Sequence, residues 1–247
     1  MTETSSSAKR LYGTLILLQK SAKEGSELLK VTIGKAFGIS EKDTTRLLAI
    51  YLEMIKLVQQ TKLDIEKISD EVDKELYIEP LERLETAFSS NSLVHQWANF
   101  SQYLDPTTMK SLQFCADILS RRMGEKLVSD EELETLRKDV DELFELIVDS
   151  DLDLLLKNFL LERLEQIRHA LLYYRLNGSK GLKDALEKIV GAGFVFNAIN
   201  GNSNFGEKAR EILPKFGKIF VALMKLVEFG NNIKGLTDSN FPLLSGK

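Results

Sequence analysis

Apolar positions recur at spacings of three and four along nearly the whole chain, and sustained two-residue alternation is absent. This is the helical period, and it predicts an all-α protein. The clearest stretch runs from Ser150 to Leu182. Leu156, Leu160, Leu164, Ile167, Leu171 and Tyr174 share one face, and Leu152, Leu155, Phe159 and Leu172 widen it to nearly half the circumference. Ser150 or Asp151 can cap the start, and Asn177-Gly178 supplies a stop that tolerates left-handed backbone. The preceding segment, Glu131–Val148, opens with the capping box Ser129-Asp130-Glu131-Glu132. With only two or three residues between them, these two helices should be antiparallel neighbours, forming a central hairpin over 131–176.

The rest of the chain reads the same way. Before the hairpin, helices are predicted at Lys9–Ser21, Ser26–Phe37, from about Ser40 to Ile68, Val72–Ser89, Leu93–Leu104 and Thr107–Met123. Ser40 and Asp43 mark one start and Asp105-Pro106 another, while Pro80 predicts a kink or break near Ile78. After it, helices are predicted at Leu182–Ile199 and Glu207–Phe229, the second bent at Pro214, with a loop over Asn200–Asn204 and a loose tail from Asn231. The expectation is an irregular bundle of eight to ten helices with no internal repeat. A core spans 1–177, and a glycine-rich, basic C-terminal region spans 178–247, packed on the same domain. Interior glycines, Gly191, Gly193, Gly206 and Gly217 among them, each cost about 1 kcal/mol of helix propensity. Leu182–Phe229 is therefore the region expected to adapt to a partner.

Charge changes this picture locally. The chain of 247 residues has a formal net charge of −4, which carries no general prior for nucleic acid. Its distribution is uneven: Asp130–Glu165 holds thirteen acidic residues against Arg137, Lys138, Lys157 and Arg163. From Gly178 onward ten Lys and Arg face six Asp and Glu. Asp139, Glu142 and Glu145 are thus a candidate acidic binding face for a basic partner, and Lys208, Lys215, Lys218 and Lys225 a candidate basic one. The second lies on an amphipathic helix of the kind that also rests on anionic membranes. The absence of a signal peptide and of an apolar run near 18 residues points to a cytoplasmic protein.

Candidate chemistry is sparse. Asp149-Ser150-Asp151-Leu152-Asp153 opens like a calcium loop, but Leu154 and Leu160 stand where that loop needs Gly and Glu. His95, His169 and the lone Cys115 cannot make a zinc spacing, and Cys115 in an apolar helical pattern reads as a buried thiol. No phosphate-binding loop or nucleophile elbow is present. No metal and no cofactor are expected.

Arg163 and His169 resemble the R-x(4–6)-H signature of HEPN ribonucleases, all-helical domains of bacterial toxin and antiviral systems. The resemblance implies metal-independent RNA cleavage at a composite site between two subunits, with Arg163 and His169 as catalytic candidates. Leu164 departs from the pattern, which favours a polar residue after the arginine. More broadly, Phe159–Gly191 looks like a helix–Gly–helix segment of bacterial helical proteins from conflict and defence systems. That resemblance implies a bacterial immunity or phage-defence component and carries no site residues. The reading is thus a non-enzymatic protein-binding module whose partner is another protein, such as a toxin or defence effector. A HEPN-like ribonuclease and a membrane-surface effector are its alternatives, and a homodimer and peripheral membrane contact stay open. No specific nucleic acid is expected.

Overall fold

The computed structural model describes residues 4–68, 74–200 and 205–227, with 74–76 as backbone only. The described residues form ten helices and one pair of two-residue strands, so the protein is all-α. The chain separates into two compact units. One comprises Met1–Leu127 with Arg175–Gly178, the other Val128–Tyr174 with Ser179–Lys247. This division falls ahead of the acidic helix, where the sequence reading divides the chain at 177/178.

The first unit contains α1 (Ser7–Ser21), α2 (Leu29–Phe37), α3 (Thr44–Glu66), α4 (Lys74–Ser90), α5 (Trp97–Ser101) and α6 (Pro106–Met123). Strand β1 (Thr4–Ser5) pairs antiparallel with β2 (Glu125–Lys126). Two of the predicted helices are shorter than their apolar patterns. The segment expected as Ser26–Phe37 becomes helical only at Leu29, and that expected as Leu93–Leu104 only at Trp97. The reason is backbone pairing. Leu28 and Gln96 form an antiparallel bridge. Around it the Leu29 N–H donates to His95 at 2.8 Å and Lys30 to Leu93 at 3.0 Å, while Trp97 donates to Glu27 at 2.6 Å and Ala98 to Gly25 at 2.9 Å. Donors satisfied across the bridge are not free to start a helix earlier.

The symmetry of those four bonds extends to the helices. Leu28 and Gln96 cap α2 and α5 with nearly equal dihedrals, φ −70, ψ 143 and φ −69, ψ 146. Asp43 and Asp105 then cap the third helix of each set through their carboxylates. Helix α1 packs on α6 as α3 packs on α4, and α2 meets α5 at the centre. The unit is a long–short–long helical arrangement used twice. The sequence, which predicts no repeat, hides this because the two loops and short helices differ in length and side chains.

The second unit contains α7 (Asp130–Val148), α8 (Leu154–Leu172), α9 (Tyr174–Asn200) and α10 (Gly206–Leu226). Ser129 and Glu132 make the predicted capping box. Helices α7 and α8 pack together as expected, with Leu133, Leu136, Val140, Leu143 and Ile147 meeting Leu156, Leu160, Leu164, Ile167 and Leu171 in one core. Their connection is longer than predicted. Asp153 rather than Ser150 or Asp151 caps α8, its carboxylate accepting from Leu155 and Leu156 at 2.9 and 3.3 Å.

Helix α8 is also shorter than its apolar face suggests. It ends at Leu172, and Tyr173 departs from helical geometry at φ −94, ψ 7. Gly178, read as a helix stop, is a break at φ 59, ψ −155. Beyond it α9 and α10 continue through Gly191, Gly193, Gly217 and Pro214. Likewise α4 continues through Pro80 instead of breaking near Ile78. Leu182, Leu186, Ile189, Ile212, Phe216, Ile219, Phe220 and Leu223 join the core of α7 and α8. The predicted Asn200–Asn204 loop, apart from Asn200, and the predicted tail from Asn231 lie outside the described residues, as do Val72 and Phe229 at two predicted helix ends.

Candidate functional site

Helix α8 does not bring Arg163 and His169 together. Six residues separate the two side chains by about 120° around the helix and about 9 Å along it. Arg163 is buried at 7 % exposure. Its guanidinium lies 5.4 Å from the Phe159 ring centre and pairs with Glu162. His169 is exposed in the last turn of α8, its ring 4.3 Å from that of Tyr173. A buried cation packed on an aromatic ring and an exposed imidazole on another side of the helix share no space for a phosphodiester.

Cys115 is fully buried, and burial pushes its thiol up to about 12. It stays protonated at neutral pH and is no nucleophile. Among the described residues no three His, Cys, Asp or Glu side chains stand close enough to hold a metal ion. Asp153, the last carboxylate of the calcium-like opening, is spent on capping α8.

The acidic face is more exposed than its composition suggests. Along the outer side of α7, Asp130, Glu131, Glu134, Asp139, Glu142 and Glu145 are exposed. Of the four cations counted against this stretch, two serve inside the unit. Lys157 donates to the carbonyls of Val148 and Ser150 at 2.7 and 2.8 Å, closing the C-terminal end of α7. Arg163 is buried as described. Arg137 pairs with Glu134 at 2.9 Å and Lys138 stands 3.8 Å from Glu142, both in solvent where such pairs contribute little. Asp139 and Glu145 engage no cation among the described residues. A third cation, Arg168, bridges Asp141 at 2.7 Å and Glu165 at 2.8 Å over the Phe144 ring, which fastens α8 to the edge of α7 and leaves the outer face untouched.

The basic candidates on α10 are arranged differently. Lys208 and Lys215 both reach Glu211, at 2.6 and 3.3 Å. The hydrogen bond from Lys208, then that from Lys215, holds the Glu211 carboxyl below its ordinary range. Lys218 and Lys225 are exposed on the same polar side. The apolar side of α10 is core: Ile212, Phe216, Ile219, Phe220 and Leu223 are buried. The face that would enter a membrane is therefore occupied within the unit. No helix among the described residues is long and apolar enough to cross a membrane.

Exposed apolar side chains were not anticipated at two places. Leu154 and Leu155 at the start of α8 are exposed at 68 and 62 %, and Phe194, Val195 and Ile199 near the end of α9 at 46, 60 and 76 %. Leu155, read as part of the apolar face of the Ser150–Leu182 stretch, lies outside the core. The end of α9 is held by ring contacts of Phe196 with Phe159, at 4.3 Å between centroids, and with Phe205 at 5.8 Å. The available signal was the absence of any charge from Val190 to Phe205, which reads as an interior helix until the structure exposes Phe194, Val195 and Ile199.

Comparison with protein families, with characterised proteins and with solved structures finds no match for this chain.

Proposed function

We propose that this chain is a non-enzymatic protein-binding module, a bacterial immunity or phage-defence component that receives a basic partner protein on the outer face of α7. The supporting observation is the internal use of Lys157 and Arg163, which leaves only Arg137 and Lys138 as cations on α7, paired with Glu134 and Glu142, and Asp139 and Glu145 without a cation among the described residues. Complementary charge accelerates encounter and rejects wrong partners. The face is also rigid, carried on a helix with a capping box at one end and a lysine closing the other.

The test is a pull-down from the native host with the intact chain and with D139K/E142K/E145K. The intact chain should retain one stoichiometric basic protein that is released as ionic strength rises toward about 0.5 M, where the screening length falls to a few ångströms. The triple variant should retain none while keeping its melting temperature. Retention unchanged by the triple variant removes the acidic face from the reading. Absence of any retained protein, with RNA or nucleotide turnover by the isolated chain, replaces it with an enzyme.

A further inference from the structure

The outward side of the α9 end has an internal order. Gly191 and Ala198, seven residues apart, face outward along its middle, and both are exposed. Phe194 flanks them on one side, and Val195 and Ile199 on the other. A Cβ added to Gly191 would meet no atom within 4 Å, so the space beyond it is open. The inward positions of this segment, Gly193 and Phe196, are buried and half-buried against the unit. Large apolar side chains around a track of small residues form a surface on which a second helix can pack closely.

We infer that this surface is the interface of a symmetric homodimer, with α9 of a second copy lying antiparallel across it. Two observations select a second copy over other occupants. A two-fold interface sets a surface against itself, so a charged stripe would repel its own image; Val190–Phe205 carries no charge at all. The spacing is self-complementary. An axis between Phe194 and Val195 sets Gly191 of one copy against Ala198 of the other and Phe194 against Val195, so small residues meet small ones while the large side chains interlock at the centre. Phe194, Val195 and Ile199, exposed at 46, 60 and 76 %, present on the order of 350 Å² of apolar surface, taking about 200 Å² for a large side chain. The backbone around Gly191 and Ala198 adds to it, and the contact belongs among small interfaces, below the roughly 800 Å² per partner of a standard one. The surface is separate from the outer face of α7, so a dimer presents two acidic faces.

Sedimentation equilibrium of the full chain at micromolar concentration should give the mass of two chains. Val195→Glu, at an exposed position, should raise the dissociation constant at least a hundredfold while leaving the helical circular dichroism and melting temperature unchanged. Val195→Cys stands beside the two-fold axis and should form a covalent dimer under oxidation, whereas Glu131→Cys on α7 should not. Cys115 is buried and does not compete. A wild-type chain that stays monomeric at 100 micromolar overturns the inference, as does a dimer unaffected by Val195→Glu. Binding of the monomeric wild type to anionic vesicles would assign the same surface to a membrane instead.

Discussion

The guanidinium of Arg10 occupies the space into which a side chain on Gly178 would grow, one of its nitrogens 2.5 Å from where a Cβ would stand. From there its Nε–H donates to the Leu176 carbonyl at 3.0 Å. Gly178 itself sits at φ 59, ψ −155, a region that only glycine enters freely.

Gly178→Ala should therefore destabilise the protein by about 1–3 kcal/mol. The two causes can be separated by urea unfolding. An arginine can swing aside, so Arg10→Ala in the Gly178→Ala background should recover only a minor part of the loss. Full recovery would show that crowding, not backbone strain, sets the cost.

Arg163→Ala and His169→Ala should differ in stability. Arg163 is buried on Phe159, and its removal leaves a void and an unpaired Glu162; a loss of about 2 kcal/mol is expected. His169 is exposed, and its removal should shift the melting temperature by no more than a degree or two. Two equally stable variants that both lose RNA cleavage would restore the ribonuclease reading.

Alkaline pH should destabilise the first unit through two buried acids. Burial raises both the Cys115 thiol and the Tyr51 phenol to about 12. In the unfolded chain they release protons from about pH 9 and pH 10. Protons held longer by the native state give stability that is complete below those values and declines as pH rises toward 12. Denaturant midpoints should fall from pH 9 upward, and Cys115→Ala should remove the earlier part of that fall. Native Cys115 should resist a thiol reagent at pH 8; rapid labelling of the folded chain would contradict its burial.

The caps admit a quantitative check. Asp105 accepts from the Thr107 and Thr108 N–H groups at 2.9 and 3.0 Å, and Ser129 takes part in the capping box of α7. Asp105→Ala and Ser129→Ala should each cost about 1 kcal/mol, additively, since they cap helices in different units. A strongly non-additive double variant would mean the two caps are coupled.

Hydrogen exchange should divide α9 internally. Leu182, Leu186 and Ile189 are core, so their amides should exchange slowly, in contrast to the uniformly adaptable region expected from the glycines. Amides of 194–200 should exchange faster in dilute protein and gain protection as concentration rises. Slow exchange across all of α9 at every concentration would leave no end free to pair.

The helical class, most helix positions and the best capped starts are legible in the chain alone, because these depend on periodicity and on side chains within one turn of the backbone they serve. The box at Ser129 and the cap at Asp105 needed nothing from elsewhere in the chain. Tertiary structure decided what depends on distant partners. Leu29 and Trp97 donate to His95 and Glu27 around the Leu28–Gln96 bridge, and that long-range pairing shortened two predicted helices and exposed a repeated arrangement that side chains do not advertise. Whether Arg163 is buried, whether Lys157 neutralises α7 or closes its end, and whether Val195 is core or surface were likewise settled by packing. A spacing of three or four says which residues share a helix face, but only the neighbouring helices say whether that face is buried.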